Sequence, residues 1–249
     1  MSLDPNRLIL TGENPFIRLS DTDGGTITTN ASFWRILISP AGAGHVLYLN
    51  SELTQSRWKI WSDNIALARW LQNTVQGMLN GELADTAIPV TDAVFDKEGD
   101  ARDFWTERLV SHGEEVALTW YGIGEPLLIH TEPGPPPARK YGVCTVLIPA
   151  LGARLTVSGT EAAGQAFPTQ REGRPFSTCA LAFSESWTEA RGRFSGRKSA
   201  RSAPVDDATA PIALARLQPS PPGDPGQHAR ADFLGIMEGE DEIRPSRSG

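Results

Sequence analysis

Apolar and polar positions alternate along this chain in short runs, separated by glycines, prolines and charge clusters. Side chains on a strand point to opposite faces in turn, so this alternation predicts half-buried strands. The densest series covers 104–110, 114–121, 127–131, 141–148 and 176–187, each rich in β-branched or aromatic residues. Brief turns at His112-Gly113-Glu114 and Gly122-Ile123-Gly124-Glu125-Pro126 join the first three. Connections that short exclude a parallel crossover and predict antiparallel pairing.

Upstream, Leu8-Ile9-Leu10 and Phe16-Ile17-Arg18-Leu19 predict two brief strands. Asp21 to Gly25 is a turn signal. One long strand with an irregularity near Asn30 is expected over 26–39, in a hairpin with 45–49 across Pro40 to Gly44. One helix is expected near 63–80. Ser62 would cap its N-terminus, Asp63 would favour its dipole, and Leu67, Leu71, Val75 and Met78 recur at helical spacing. Gly81 would close it as a left-handed cap. Such an apolar stripe packs on an outer face or plugs one end of a barrel; a lid over a pocket is the functional alternative. The acidic stretch 82–101 reads as a solvated loop, because it lacks the calcium-binding spacing of an EF-hand. Pro133 to Pro137 predicts a rigid connector, and 152–166 is turn-rich.

Residues 1–189 are therefore expected to form one mainly β domain, an antiparallel barrel or sandwich with one substantial helix. In number of strands it resembles calycin-like barrels, by architecture alone; the sequence motifs of lipocalins are absent. From residue 190 the character changes. Arg191, Arg193, Arg197, Lys198 and Arg201 precede a proline-rich stretch and the acidic run 238–242. So few large apolar residues cannot offset chain entropy, which predicts a disordered Pro/Arg/Gly-rich tail over 190–249. Its basic block could touch nucleic acid or an acidic membrane surface; a solvated tail without a partner is the better expectation.

Composition narrows the picture further. Apolar residues make up 39 % of the 249, a little below the globular average, and the shortfall lies in the tail. A net charge of −7 argues against a duplex-binding surface, so no nucleic-acid partner is expected. Cys144 and Cys179 form neither a disulfide framework nor a zinc-ligand pattern. No apolar run approaches the ~20 residues that span a bilayer, and Met1 to Arg7 lacks the apolar core of a secretion signal. A soluble cytoplasmic protein with no membrane partner is expected, its oligomeric state open.

Strand phase then nominates residues for chemistry. Cys179, Leu181, Phe183, Glu185 and Trp187 share one phase, opposite a small-residue phase, and the large phase is expected inside. That places Glu185 among apolar neighbours, unless a slip or bulge reverses the assignment. Val116, Leu118 and Trp120 form another large phase. If Trp105, Glu107 and Leu109 face inward, Glu107 joins Glu185. His130 is in phase with Leu128, opposite Leu127 and Ile129. A carboxylate facing an apolar interior has its pKa raised toward the range of a general acid. The ordinary alternatives are an ion pair, with Arg35 or Arg108 for Glu185, and a satisfied structural histidine at 130.

No Gly-x-Ser-x-Gly and no phosphate-binding glycine loop occurs, and no metal site or cofactor is expected. Trp58, Trp61 and Trp70 gather at the helix entry, where core packing explains them as well as ligand contact does. Three function classes fit these residues. The first is binding of a small, largely apolar molecule, lined by Trp105, Trp120, Phe183 and Trp187. The second is a cofactor-independent acid–base enzyme, a hydratase, isomerase or cyclase, using Glu185 and Glu107 with His130 as third candidate. The third is an interaction protein working through its tail.

Overall fold

A computed structural model describes residues 6–134, 140–171 and 173–190. The expected tail from 190 lies outside these residues apart from Ala190, as do residues 135–139 of the proline connector. Strand accounts for 60 % and helix for 12 % of the described residues, which makes this part of the chain mainly β. The strands are β1 (Asn6–Glu13), β2 (Phe16–Ser20), β3 (Ile27–Ile38), β4 (Gly44–Ser51) and β5 (Lys59–Ser62). After a helix come β6 (Val90–Asp92), β7 (Val94–Asp100), β8 (Phe104–Ser111), β9 (Glu114–Ile123) and β10 (Leu127–Thr131). The last are β11 (Tyr141–Val157), β12 (Thr160–Glu161), β13 (Pro168–Arg171), β14 (Arg174–Ser177) and β15 (Ala180–Ala190).

The main path runs β6-β5-β4-β3-β1-β15-β11-β9-β8-β7. Among the described strands only β5 and β6 pair in parallel. β11 is longer than its sequence run suggested, because it serves two neighbours in succession. Tyr141 to Pro149 pairs with β15, and Ala150 to Val157 pairs with β9. The two ends of the path are consecutive in the chain, with Ala93 alone between β6 and β7. The Ala93 amide donates to Ser62 O on β5, and the Ser111 hydroxyl on β8 donates to Asp92 O. One run, 90–100, is thus bonded to β5 on one side of Ala93 and to β8 on the other. The acidic stretch expected as a loop is largely this run. Its charges face water, so it lacks apolar alternation, and backbone pairing with β8 holds it instead.

Burial falls into three clusters. The first draws on both ends of the path, including Phe33 of β3, Leu47 of β4, Trp61 of β5, Leu109 of β8, Trp120 of β9 and Leu181 of β15. The second lies across the other face of β3 and β4, where Trp34, Ile36, Val46 and Tyr48 meet the helix. Both faces of β3 are thus covered, and Phe33 and Trp34 point to different cores. The third joins Leu127, Ile129 and Leu147 to Phe176, Ala180 and Ala182.

The helix is α1 (Ile65–Leu71), continued by a π-helical segment (Gln72–Gln76) and a last turn (Gly77–Leu79). Its N-cap is Asn64, whose side chain accepts from Leu67 N at 3.1 Å. Ser62 instead closes β5. Leu67, Leu71 and Val75 are fully buried, at roughly 1.5–3 kcal/mol each. The π segment adds a residue to its turn and rotates the positions beyond it, so Leu79 is buried and Met78 is 48 % exposed, against the expected stripe. It also turns Gln76 to the sheet, where Oε1 accepts from Trp34 Nε1 at 2.9 Å and Ser32 Oγ at 3.3 Å. The expected cap at Gly81 does not form: Asn80 is extended and Gly81 opens a 3₁₀ turn. No described helix is long and apolar enough to cross a membrane.

A second departure sits in β15. Ser184 has φ of 53°, and the β11–β15 register shifts between Cys144 and Val146. This bulge reverses the phase. Leu181 and Phe183 pack with the first core, while Trp187 packs with the second. The expected single face from Cys179 to Trp187 is therefore two faces.

Asn64 also donates to Ala41 O and Ala43 O, so one side chain ties the helix start to the β3–β4 turn. Asn64→Ala is expected to lower stability by about 1–2 kcal/mol, seen in urea as a lower midpoint with an unchanged slope.

Candidate functional site

The densest polar network is built around Arg35. Alternation along β3 gives Ala31, Phe33 and Arg35 one face, toward the first core. Residues Leu49, Leu47 and His45 of β4, and Leu109, Glu107 and Trp105 of β8, share faces with that core in the same way. Arg35, His45 and Glu107 therefore converge, although 72 residues separate Arg35 from Glu107. Glu13 arrives from β1. A Cβ at Gly12 would lie 2.1 Å from Arg35 O, so this close approach of β1 to β3 requires glycine.

Arg35 Nη2 donates to Glu107 Oε1 at 2.7 Å and Oε2 at 2.6 Å, and Nη1 donates to Glu13 Oε2. Arg35 Nε donates to His45 Nε2 at 3.2 Å. Because Nε can only donate, His45 Nε2 accepts, and the imidazole carries its proton on Nδ1. There Asp63 Oδ2 accepts at 2.6 Å, while Asp63 Oδ1 accepts from the His45 amide at 2.6 Å. Trp105 Nε1 donates to Glu107 Oε1 at 2.7 Å. The chain of contacts runs Asp63–His45–Arg35–Glu107, with Glu13 as a branch.

Exposure grades along it. The side chain of Glu107 is 1 % exposed, Arg35 12 %, Glu13 22 % and Asp63 35 %. Burial pushes the Glu107 carboxyl up from its usual range, while the Arg35 guanidinium and the Trp105 N–H pull it back. Aromatic rings stand around the network. His45 stacks on Phe95 at 5.1 Å, Phe95 meets Phe33 edge-on at 5.9 Å, and Trp105 meets Phe183 edge-on at 5.3 Å. Phe95, Trp105 and Phe183 are only partly buried and lie against the first core.

Of the residues nominated by sequence, Glu107, Trp105 and Phe183 are brought together here. Trp120 lies deeper in the same core, its Nε1 donating to Phe16 O at 2.9 Å. Glu185 and Trp187 lie elsewhere, past the Ser184 bulge. Trp187 Nε1 donates to Glu185 Oε1 at 2.7 Å, and Trp187 packs edge-on to Tyr141 in the second core. Burial pushes the Glu185 carboxyl up to about 7, against hydrogen bonds from Trp187 and Thr145 and the charge of Arg171. His130 is exposed on β10, 3.0 Å from Glu132. The acid–base trio nominated by sequence thus occupies three separate environments. Sequence reasoning missed Glu13, Arg35, His45 and Asp63 as a group. Strand phase alone marks Arg35 and His45, each in register with large apolar residues. Among the described residues no three His, Cys, Asp or Glu side chains are grouped to hold a metal. Comparison with protein-family models, curated proteins and solved structures finds no match.

These buried charges make two outcomes testable. Arg35→Met strands Glu107 without its cation and should cost about 3–5 kcal/mol; the double variant Arg35→Met/Glu107→Leu should recover most of it in a denaturation cycle. Glu185 behaves differently, because its folded pKa is raised from 4.5 to about 7. The stability it contributes is full below pH 4.5 and is lost as pH rises through about 7. Glu185→Gln lacks this titration, so between about pH 4.5 and 8 it should gain roughly 3 kcal/mol on the wild type, read from denaturation midpoints across pH.

Proposed function

We propose that this protein binds a small, flat, largely apolar molecule at the Arg35 end of its first core, between Trp105, Phe183, Phe95 and Phe33. The reading treats the ten-strand path as a closed barrel of calycin-like architecture. Two arrangements support closure: the path ends on consecutive strands, and the first core draws side chains from both of its halves. The Arg35 network then sits at one end of the barrel interior.

One observation carries the ligand reading. A fully buried carboxylate accepts the indole N–H of Trp105, and Trp105 and its neighbour Phe183 are left partly exposed. Burying an ion pair is costly relative to apolar packing, so a buried charge beside open aromatics suits recognition better than stability. Concave apolar walls with a few oriented polar groups are the common form of a small-molecule site.

A second reading, the acid–base enzyme, is favoured by the Asp63–His45 hydrogen bond beside Glu107. It keeps Glu107 from the trio nominated by sequence and sets His45 and Asp63 in place of Glu185 and His130. An interaction role for the tail rests on sequence alone.

The test is a thermal-shift screen against flat apolar molecules, since a ligand that binds only the native state raises the unfolding temperature. At least one should do so, with Trp105→Ala or Phe183→Ala abolishing the shift and Trp187→Phe leaving it intact. Silence across a broad panel, or a shift that survives Trp105→Ala, would sink the reading. Turnover of a bound molecule that Glu107→Gln lowers ~10²–10⁴-fold would move the assignment to the enzyme class.

A further inference from the structure

Resting on the reading of the Arg35 end as a ligand site, we infer that its ligand carries an ammonium group on the flat apolar body. The inference comes from which hydrogen-bonding capacity is already filled. Arg35 Nε is given to His45, Nη1 to Glu13 and Nη2 to both oxygens of Glu107. The Trp105 N–H goes to Glu107, and His45 Nδ1 goes to Asp63. The donors facing this end are therefore largely committed.

The acceptors are in the opposite condition. An ionised carboxylate offers about four lone-pair sites. The named bonds fill three on Glu107 and one on Glu13, so about half of the pair's capacity remains. Formal charge points the same way by a smaller margin: Glu13, Glu107 and Asp63 stand against Arg35 and Lys97, three to two. An incoming carboxylate or phosphate would meet surplus negative charge, with the Lys97 ammonium as its main available donor. An ammonium would meet acceptors and ring faces.

An independent feature marks where that ammonium sits. Lys97 on β7 is in register with Glu107 on β8, and its Nζ lies 5.0 Å from the centroid of the Trp105 ring. A cation held over an indole face is attracted by the ring quadrupole. The exposed Lys97 side chain is a tethered stand-in for the ligand's cation and can swing out to yield its place. Lys97 thus acts as a competitor built into the site, lowering affinity for any ligand that does not replace it with a cation of its own.

The experiment is calorimetric titration of the full chain with three matched probes: 2-phenylethylammonium, 2-phenylethanol and phenylacetate. The ammonium should bind roughly tenfold or more tighter than the alcohol, with phenylacetate weakest. Lys97→Ala should tighten ammonium binding several-fold, and Glu13→Gln should weaken it without unfolding the protein. Equal binding of alcohol and ammonium, or preference for phenylacetate, would overturn the ammonium inference while leaving the apolar site standing. Weaker ammonium binding in Lys97→Ala would overturn the stand-in role. If none of the three binds and the flat-molecule screen is also silent, the underlying site reading fails as well.

Discussion

A guanidinium at the end of an apolar core persists only if its N–H groups are met and its charge is balanced. Arg35 satisfies this condition with groups from four different elements: Glu13 of β1, His45 of β4, Glu107 of β8 and, through His45, Asp63 beyond β5. β3 and β8 stand far apart in the strand order, so this contact reaches across the core rather than along the sheet. Removing one partner leaves a buried charge exposed to a low-dielectric surrounding, which is why the whole group must form together. The ends of the strand path are held by the same logic at smaller scale, where Ala93 and Asp92 bond to opposite neighbours.

The helix enters this network through its first residue. Asn64 caps it and is tied to Ala41 and Ala43, which fixes Asp63 just before it. Asp63 orients His45 through two hydrogen bonds, and His45 then receives Arg35. The body of the helix covers the opposite face of β3 and β4, with Tyr48 donating to Ala68 O and Trp34 to Gln76. Its apolar stripe serves packing, while its N-terminus is coupled to the network. Of the positions the apolar stripe implied, outer face, plug or lid, the helix takes the outer face, packed over β3 and β4 with its N-terminus tied to the network.

Local pattern made much of this legible. Val116, Leu118 and Trp120 are buried as their shared phase implies, as are Leu127 and Ile129 opposite exposed Leu128 and His130. The antiparallel hairpin of β3 and β4 arises from a turn and two apolar runs; pairing with β4 continues unbroken through Asn30, and the irregularity expected near it falls in the pairing with β2, where Thr28 is the extra residue. The features that stayed hidden fall into two physical kinds. One is insertion of a single residue, at Ser184 and within Gln72–Gln76, which reverses or rotates every phase beyond it while leaving the composition unchanged. The other is partnership set by topology. Nothing near Glu107 in sequence announces Arg35, and β7 is held by backbone bonds that side-chain patterns do not record.

The two buried glutamates show why burial alone does not nominate a functional group. Both are removed from water and both accept an indole N–H at 2.7 Å. Glu107 also holds a guanidinium against both of its oxygens, so its charge is compensated and faces a partly open aromatic end. Glu185 has the neutral donors Trp187 and Thr145, with Arg171 acting through its charge as the smallest influence, and its carboxyl is pushed up to about 7. Burial pushes both carboxyls up, but the first is opposed by the Arg35 guanidinium, while the second, at about 7, divides between charged and neutral forms near neutral pH. A proton-transfer role would favour Glu185 by acidity, but its place beyond the bulge, against Trp187 and the second core, sets it apart from the aromatic end. Geometry therefore separates the two more sharply than acidity does: Glu107, and not Glu185, lies against the partly open aromatic rings.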